Sequence, residues 1–203
     1  AYLQIFSILK KCNLKNIFFI SASCVYPKDK EKISEKNFLD HGLEETSLAY
    51  SASKMIGTLC CFKANFENKN FKWMTIIPAT IYGQKISKKD TDNMHVINAM
   101  ISKFKFSTKK VVFYGNGEVK REFIHIHDLI DAIHFIHNNK IFNPIINVGS
   151  NYDIKIKDLC KLISNISNFK GEIEWKKSKY IGTKKKLLNM NYLNARGWKN
   201  KIS

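Results

Sequence analysis

The sequence predicts an α/β fold, a Rossmann-like doubly wound parallel sheet joined to a smaller α/β substrate-binding part, and three observations carry that expectation. Short apolar runs alternate with amphipathic helical segments along nearly the whole chain, the pattern of a parallel sheet with helical crossovers. One apolar run passes directly into small polar residues, Phe18-Phe19-Ile20-Ser21-Ala22-Ser23-Cys24-Val25-Tyr26-Pro27, where open α/β sheets place ligands. The 203 residues are 44% hydrophobic, enough for a buried core and too much for a disordered chain.

The elements follow in order. Ala1-Tyr2-Leu3-Gln4 enters a helical apolar rhythm over about 1–11 with no cap, no initiator Met and no signal-peptide pattern, so the chain is expected to begin inside its fold. The apolar run from Asn16 to Ser21 predicts a strand, and the long segment 48–67 a helix. Lys72–Pro78 is apolar throughout, as a strand covered on both faces should be. A helix is expected over 93–105, then strands at Lys110–Tyr114 and Glu122–His125. The amphipathic stretch Asp128–Asn138 predicts a helix, Ile145–Gly149 a strand, Ile156–Ile166 a helix and Glu172–Trp175 a strand. Nowhere does a G-x-G-x-x-G stand between strand and helix to seat a pyrophosphate on a helix N-terminus. The first half of a nucleotide-binding sheet is therefore expected to lie outside this chain, which by itself should not hold a dinucleotide tightly.

Composition narrows the function. A formal charge of +17 suits an anionic partner, whether nucleic acid, nucleotide sugar or dinucleotide. The lysines are spread over the whole length among abundant Asn and Ile, as AT-biased codon usage would also produce, so nucleic acid is not the expected partner. Lys184-Lys185-Lys186 reads as a solvated turn that can also meet phosphate. Five cysteines, Cys12, Cys24, Cys60, Cys61 and Cys160, are an odd number without metal-type spacing; neither disulfides nor a zinc site is expected, and a reducing cytoplasm fits. His125, His127, His134 and His137 cluster in sequence without a metal-binding spacing. No apolar run is long enough to span a bilayer.

Tyr50-Ser51-Ala52-Ser53-Lys54 sets a phenol and an ammonium four residues apart in a helix, hence on one face. A lysine charge ~4 Å from the phenol, at an effective dielectric near 20, stabilises phenolate by ~4 kcal/mol, up to roughly three pKa units before desolvation opposes it. That moves a phenol toward general acid/base work at neutral pH. Chance also places Tyr and Lys at this spacing, so context decides. The ordered set S-A-S-C-V-Y-P, Y-S-A-S-K, P-A-T-I-Y-G, M-H-V-I, G-N-G-E-V-K-R-E-F-I-H-I-H-D, N-V-G-S and G-T-K-K-K-L-L-N resembles the GDP-L-fucose synthase family of extended short-chain dehydrogenases/reductases, across nearly the entire chain.

The resemblance implies an enzyme that inverts C3 and C5 of a GDP-4-keto-6-deoxymannose-type sugar, or of a GDP-linked heptose, and reduces C4 with NADP(H), as a cytoplasmic homodimer. It implies that Tyr50 protonates the sugar oxygen, that Lys54 lowers its pKa and holds the nicotinamide ribose, and that Cys24 and His95 are the base and acid of the inversion. Pro78 and Thr80 would flank the nicotinamide; Arg121, Lys103 and Lys186 would contact the substrate. Residues 1–84 and 121–150 would form the nucleotide-binding part, 85–120 and 151–203 the nucleotide-sugar part. Alternatives stay open: Cys24 as a small buried hydrophobe, His95 as a helix-start surface residue, and Arg121 in an ion pair with Glu118 or Glu122.

Two departures stand out. The family serine four residues before the tyrosine of V-Y-P is Ala22, and the usual Asn at the third position of P-x-N-x-Y-G is Thr80. Strand alternation predicts that Ala22 and Cys24 share a face while Ser21 and Ser23 point the other way, unless the backbone turns. Loss of one preorganised donor to an oxyanion costs ~10² to 10³ in rate. Another nucleotide-sugar epimerase or reductase, or an inactive binding module, therefore remains an alternative.

Overall fold

The computed structural model describes residues 2–27, 30, 32–40, 42–43, 47–83, 95–107, 109–177 and 183–202. Helix α1 (Tyr2–Lys11) leads into β1 (Asn16–Ile20), and α2 (Leu48–Glu67) into β2 (Lys72–Pro78). Strands β1, β2 and β6 (Ile145–Val148) form a parallel sheet in the order β1-β2-β6, with Asn16 opposite Lys72 and Thr75 opposite Ile145. Helices α1 and α2 cover one face, where Phe6, Cys61 and Ala64 pack on Phe71 and Trp73. The other face carries Met74, Ile76 and Ile146 against Leu129, Ala132 and Ile136 of α4 (Ile126–Asn138). Covering on both faces is why β2 contains almost no exposed residue.

At the end of β2 the chain changes sheets. The Ala79 amide still donates to Val148 O (2.9 Å), continuing the β2–β6 ladder, and the next residue opens β3 (Thr80–Tyr82), which pairs in parallel with β5 (Lys120–His125). Strand β7 (Asp153–Lys155) joins β5 antiparallel, and the two-residue β9 (Lys185–Lys186) joins it in parallel. A third unit pairs β4 (Lys110–Tyr114) with β8 (Glu172–Lys176). Its core draws Ile97, Met100 and Phe104 from α3 (Val96–Phe106) against Leu159, Cys160 and Ile163 from α5 (Ile156–Ile166). The short α6 (Asn191–Asn194) places Leu193 in the first core, together with Leu188, Met190 and Trp198.

The principal helices and strands lie where the periodicity puts them. Helix α3 starts at Val96 with His95 as its N-cap; residues 93 and 94 of the helix expected at 93–105 lie outside the described residues, as do Met94 and Gly182 of two of the motifs. The expected parallel sheet is β1-β2-β6, and β7 adds an antiparallel pairing outside it. Strands β3, β7 and β9 were not expected, since two or three residues show no period.

Candidate functional site

Strand alternation holds through Ser21 and then fails. Ser21 is buried beneath α2, its amide donates to Ile76 O (2.8 Å), and its hydroxyl accepts from Thr58 Oγ1 at 3.4 Å. Ala22 stays extended, but Ser23–Val25 is one turn of 3₁₀ helix, closed by Val25 N to Ala22 O and Tyr26 N to Ser23 O. Successive side chains there rotate by about 120° instead of 180°. The expected pairing of Ala22 with Cys24 on one face, with Ser23 opposite, therefore does not hold. Ser23 opens onto a cavity, and Cys24 turns inward to 8% exposure.

That cavity, about 130 Å³, is lined by Ser23, Thr80, Arg121, Glu122 and Lys186, with Ala79 and Leu188 completing it. Thr80 reaches it because the chain switches sheets one residue earlier. Arg121 and Lys186 are register partners on β5 and β9, so their side chains leave the sheet on the same face. The Arg121 guanidinium is held by Lys120 O (2.8 Å) and Thr183 O (2.7 Å). The alternate residues Lys120 and Lys185 instead approach Asp153, at 3.5 and 3.6 Å. Glu118 is committed to Lys155 (2.9 Å) and Lys157.

Glu122 is 3% exposed. Its two oxygens accept from Asn151 N and Leu188 N, each at 2.7 Å, and Gly149 makes room for it, since a Cβ there would lie 2.3 Å from Oε1. Burial pushes its carboxyl up to about 7, opposing the backbone N–H bonds that favour the anion; Asp153 adds to the rise. Sequence reasoning considered Glu122 only as an ion-pair partner. The signal was there in the glycine that ends the apolar Ile145–Gly149 run.

On α2, Lys54 and Tyr50 share a face as expected. The Lys54 ammonium donates to Ile20 O (2.9 Å) and lies 5.8 Å from the Tyr50 ring centroid and 5.5 Å from that of Phe19, within cation–π range. Tyr50 is 52% exposed. Pro78 ends β2 as a buried residue. His95 is exposed at the start of α3, and its side chain makes no capping bond. Lys103, near the end of α3, reaches across to β4, donating to Val112 O with its ammonium 4.9 Å from the Phe113 centroid. The structure thus gathers Thr80, Arg121 and Lys186 around one cavity and Tyr50 with Lys54 at the end of β1. Cys24, His95 and Lys103 do not line that cavity.

Among the described residues no group of three or more His, Cys, Asp or Glu could hold a metal ion. A larger cavity, about 490 Å³, lies between α3, α5 and the segment ending at Ile202; its lining is mainly apolar and contains none of the nominated site residues.

Residues 1–149 match the NAD dependent epimerase/dehydratase family. The chain is 34% identical over 206 residues to GDP-L-colitose synthase of Yersinia pseudotuberculosis, covering 98% of this chain and 67% of that protein. It is 30% identical over 205 residues to GDP-L-fucose synthase of Escherichia coli (strain K12), covering 94% and 63%; the chain therefore spans about two thirds of these relatives. Among solved structures, a GDP-mannoheptose C4 reductase from Campylobacter jejuni with NADP bound superposes with a TM-score of 0.83 at 24% identity, over 100% of this chain and 70% of that one. At that identity the likeness establishes the fold.

Proposed function

The chain belongs to the NAD dependent epimerase/dehydratase family, and from that premise we propose a GDP-sugar epimerase/reductase of the GDP-L-fucose synthase type, acting with NADP(H) on a GDP-4-keto-6-deoxymannose-type sugar or a GDP-linked heptose. The observation that carries this reading is the cavity in which the Arg121–Lys186 pair faces the hydroxyls of Ser23 and Thr80. Two adjacent cations suit a diphosphate, and the planar fork of Arg121 suits its oxygens.

The residues present fit a nicotinamide nucleotide at the carboxyl ends of β1 and β2, where parallel sheets bind such groups. Lys54 spends one of its three N–H donors on Ile20 O, leaving two for ribose hydroxyls, with Pro78 and Thr80 flanking. When bound, the cofactor supplies the hydride for C4. Tyr50 gives the proton to the C4 oxygen, and the Lys54 charge beside its ring favours the phenolate that remains. Cys24 and His95 exchange protons at C3 and C5, whose acidity comes from the neighbouring ketone. Lys103 is assigned an outer substrate contact.

The same proposal divides the chain into a nucleotide-binding part, 1–84 and 121–150, and a sugar-binding part, 85–120 and 151–203. It places the protein in the cytoplasm as a homodimer. All five cysteines are free, and among the described residues no helix is long and apolar enough to cross a membrane.

The test is to incubate the full-length protein, with any segment that precedes residue 1 included, with NADPH and GDP-4-keto-6-deoxymannose in D₂O. NADPH oxidation and deuterium at C3 and C5 are expected. Tyr50→Phe should abolish the oxidation and leave the exchange, since exchange needs no hydride. Neither signal from the wild type would sink the proposal. Ala22, which lacks the family hydroxyl, favours a second reading as a binding module; GDP-sugar binding without either signal would establish that one instead.

A further inference from the structure

We infer that Ser23 is the catalytic hydroxyl of this chain, donating a hydrogen bond to the sugar C4 oxygen during reduction in place of the side chain that position 22 lacks. The inference rests on the reductase reading above and deepens it. Four residues at the end of β1 compete for the task. The Ser21 hydroxyl is buried under α2 and bonded to Thr58. Ala22 has no donor. Cys24 is assigned to the proton exchange at the neighbouring carbons, and its S–H is a weak donor. Ser23 alone of the four lines the cavity, and among the described residues its hydroxyl has no hydrogen-bond partner.

The 3₁₀ turn is what brings it there. A continued strand would have turned Ser23 away, whereas the bonds from Val25 N to Ala22 O and Tyr26 N to Ser23 O close the turn that brings Ser23 to the cavity wall. Position follows from charge. A diphosphate seated on Arg121 and Lys186 carries its sugar toward the remaining polar lining, in which Ser23 and Thr80 supply the hydroxyls beside the Glu122 carboxyl.

In the reaction the C4 carbonyl accepts a hydride at carbon and the Tyr50 proton at oxygen, giving the alcohol and oxidised cofactor. Ser23 keeps its own proton throughout. Its part is to donate a hydrogen bond that strengthens as negative charge gathers on the oxygen, the type of preorganised contact worth ~10² to 10³ in rate. Thr80 shares the wall, which places the expected effect at the lower end.

Two measurements on Ser23→Ala, made in the full-length protein with any segment that precedes residue 1 included, test the inference. With NADPH and GDP-4-keto-6-deoxymannose, kcat for reduction should fall about 10²-fold while deuterium exchange at C3 and C5 persists. By calorimetry, affinity for GDP-L-fucose should fall about 2- to 10-fold, the range for one lost hydrogen bond, with affinity for GDP unchanged. Equal weakening of both ligands, or no change in kcat, overturns the assignment. So does Thr80→Val abolishing reduction while Ser23→Ala leaves it intact, which moves the donor across the cavity. A wild type that binds neither ligand and reduces nothing overturns the parent reading, and the Ser23 assignment falls with it.

Discussion

Glu122 carries its carboxyl to a place where backbone N–H groups of Asn151 and Leu188 answer it, and burial lifts its titration from the usual 4.5 to about 7. In the unfolded chain the proton leaves near 4.5; in the folded chain it stays until about 7. The group's contribution to stability is therefore fully present below 4.5 and lost as pH rises through 7, a change of about 3 kcal/mol for a shift of that size. Urea unfolding between pH 4.5 and 8 should show that fall. Glu122→Gln imitates the protonated carboxyl and should remove the slope, and a wild-type profile parallel to that of the variant would refute the titration. At this scale the sequence nominated Arg121, Lys186 and Thr80 because each sits in an ordered motif, and the fold brings the three to one cavity. Ser23 escaped because strand periodicity was carried two residues beyond the strand. Glu122 escaped because an Arg-Glu neighbour pair reads first as an ion pair, and only the fold shows the Glu122 oxygens bonded to the amides of Asn151 and Leu188.

Helix α2 carries Tyr50 and Lys54, and its distance from β1 is set at Gly57. A Cβ at that position would lie 2.2 Å from Cζ of Phe19, whose ring also meets Phe6 edge-on at 5.7 Å and the Lys54 ammonium. Helix propensity alone says that Gly57→Ala should stabilise by ~1 kcal/mol. Crowding of Phe19 opposes it, and overpacking of this type costs ~1 to 3 kcal/mol. We expect net destabilisation by thermal unfolding; a raised Tm would show that Phe19 yields freely. Elements of five or more residues were legible because a period needs about that length to declare itself. The two- and three-residue strands were not, although β3 and β9 are the ones that deliver Thr80 and Lys186 to the cavity. Their positions are dictated by pairing with β5, a long-range fact that no local pattern contains.

Over the whole molecule, α1 and α2 leave Ile5, Ile8, Ile56 and Leu59 substantially exposed, and the proposed homodimer would cover such side chains. The protein is expected to sediment as a dimer, and Leu59→Asp to sediment as a folded monomer; a monomeric wild type removes the dimer from the proposal. The α/β class and most of the element order were readable from composition and alternation. How the sheets join was not, because the change of partner at Ala79–Thr80 is written in one backbone bond to Val148. The cavity draws on residues from Ser23 to Leu188, and the nearby bridge joins Ile33 to Leu188. During synthesis at roughly 5 to 20 residues per second, the turn bearing Ser23 leaves the peptidyl-transferase centre about 8 to 30 s before Lys186 is made. Until then the wall formed by Lys186 and Leu188 does not exist, and the nascent chain must keep the half-made site out of premature partnerships.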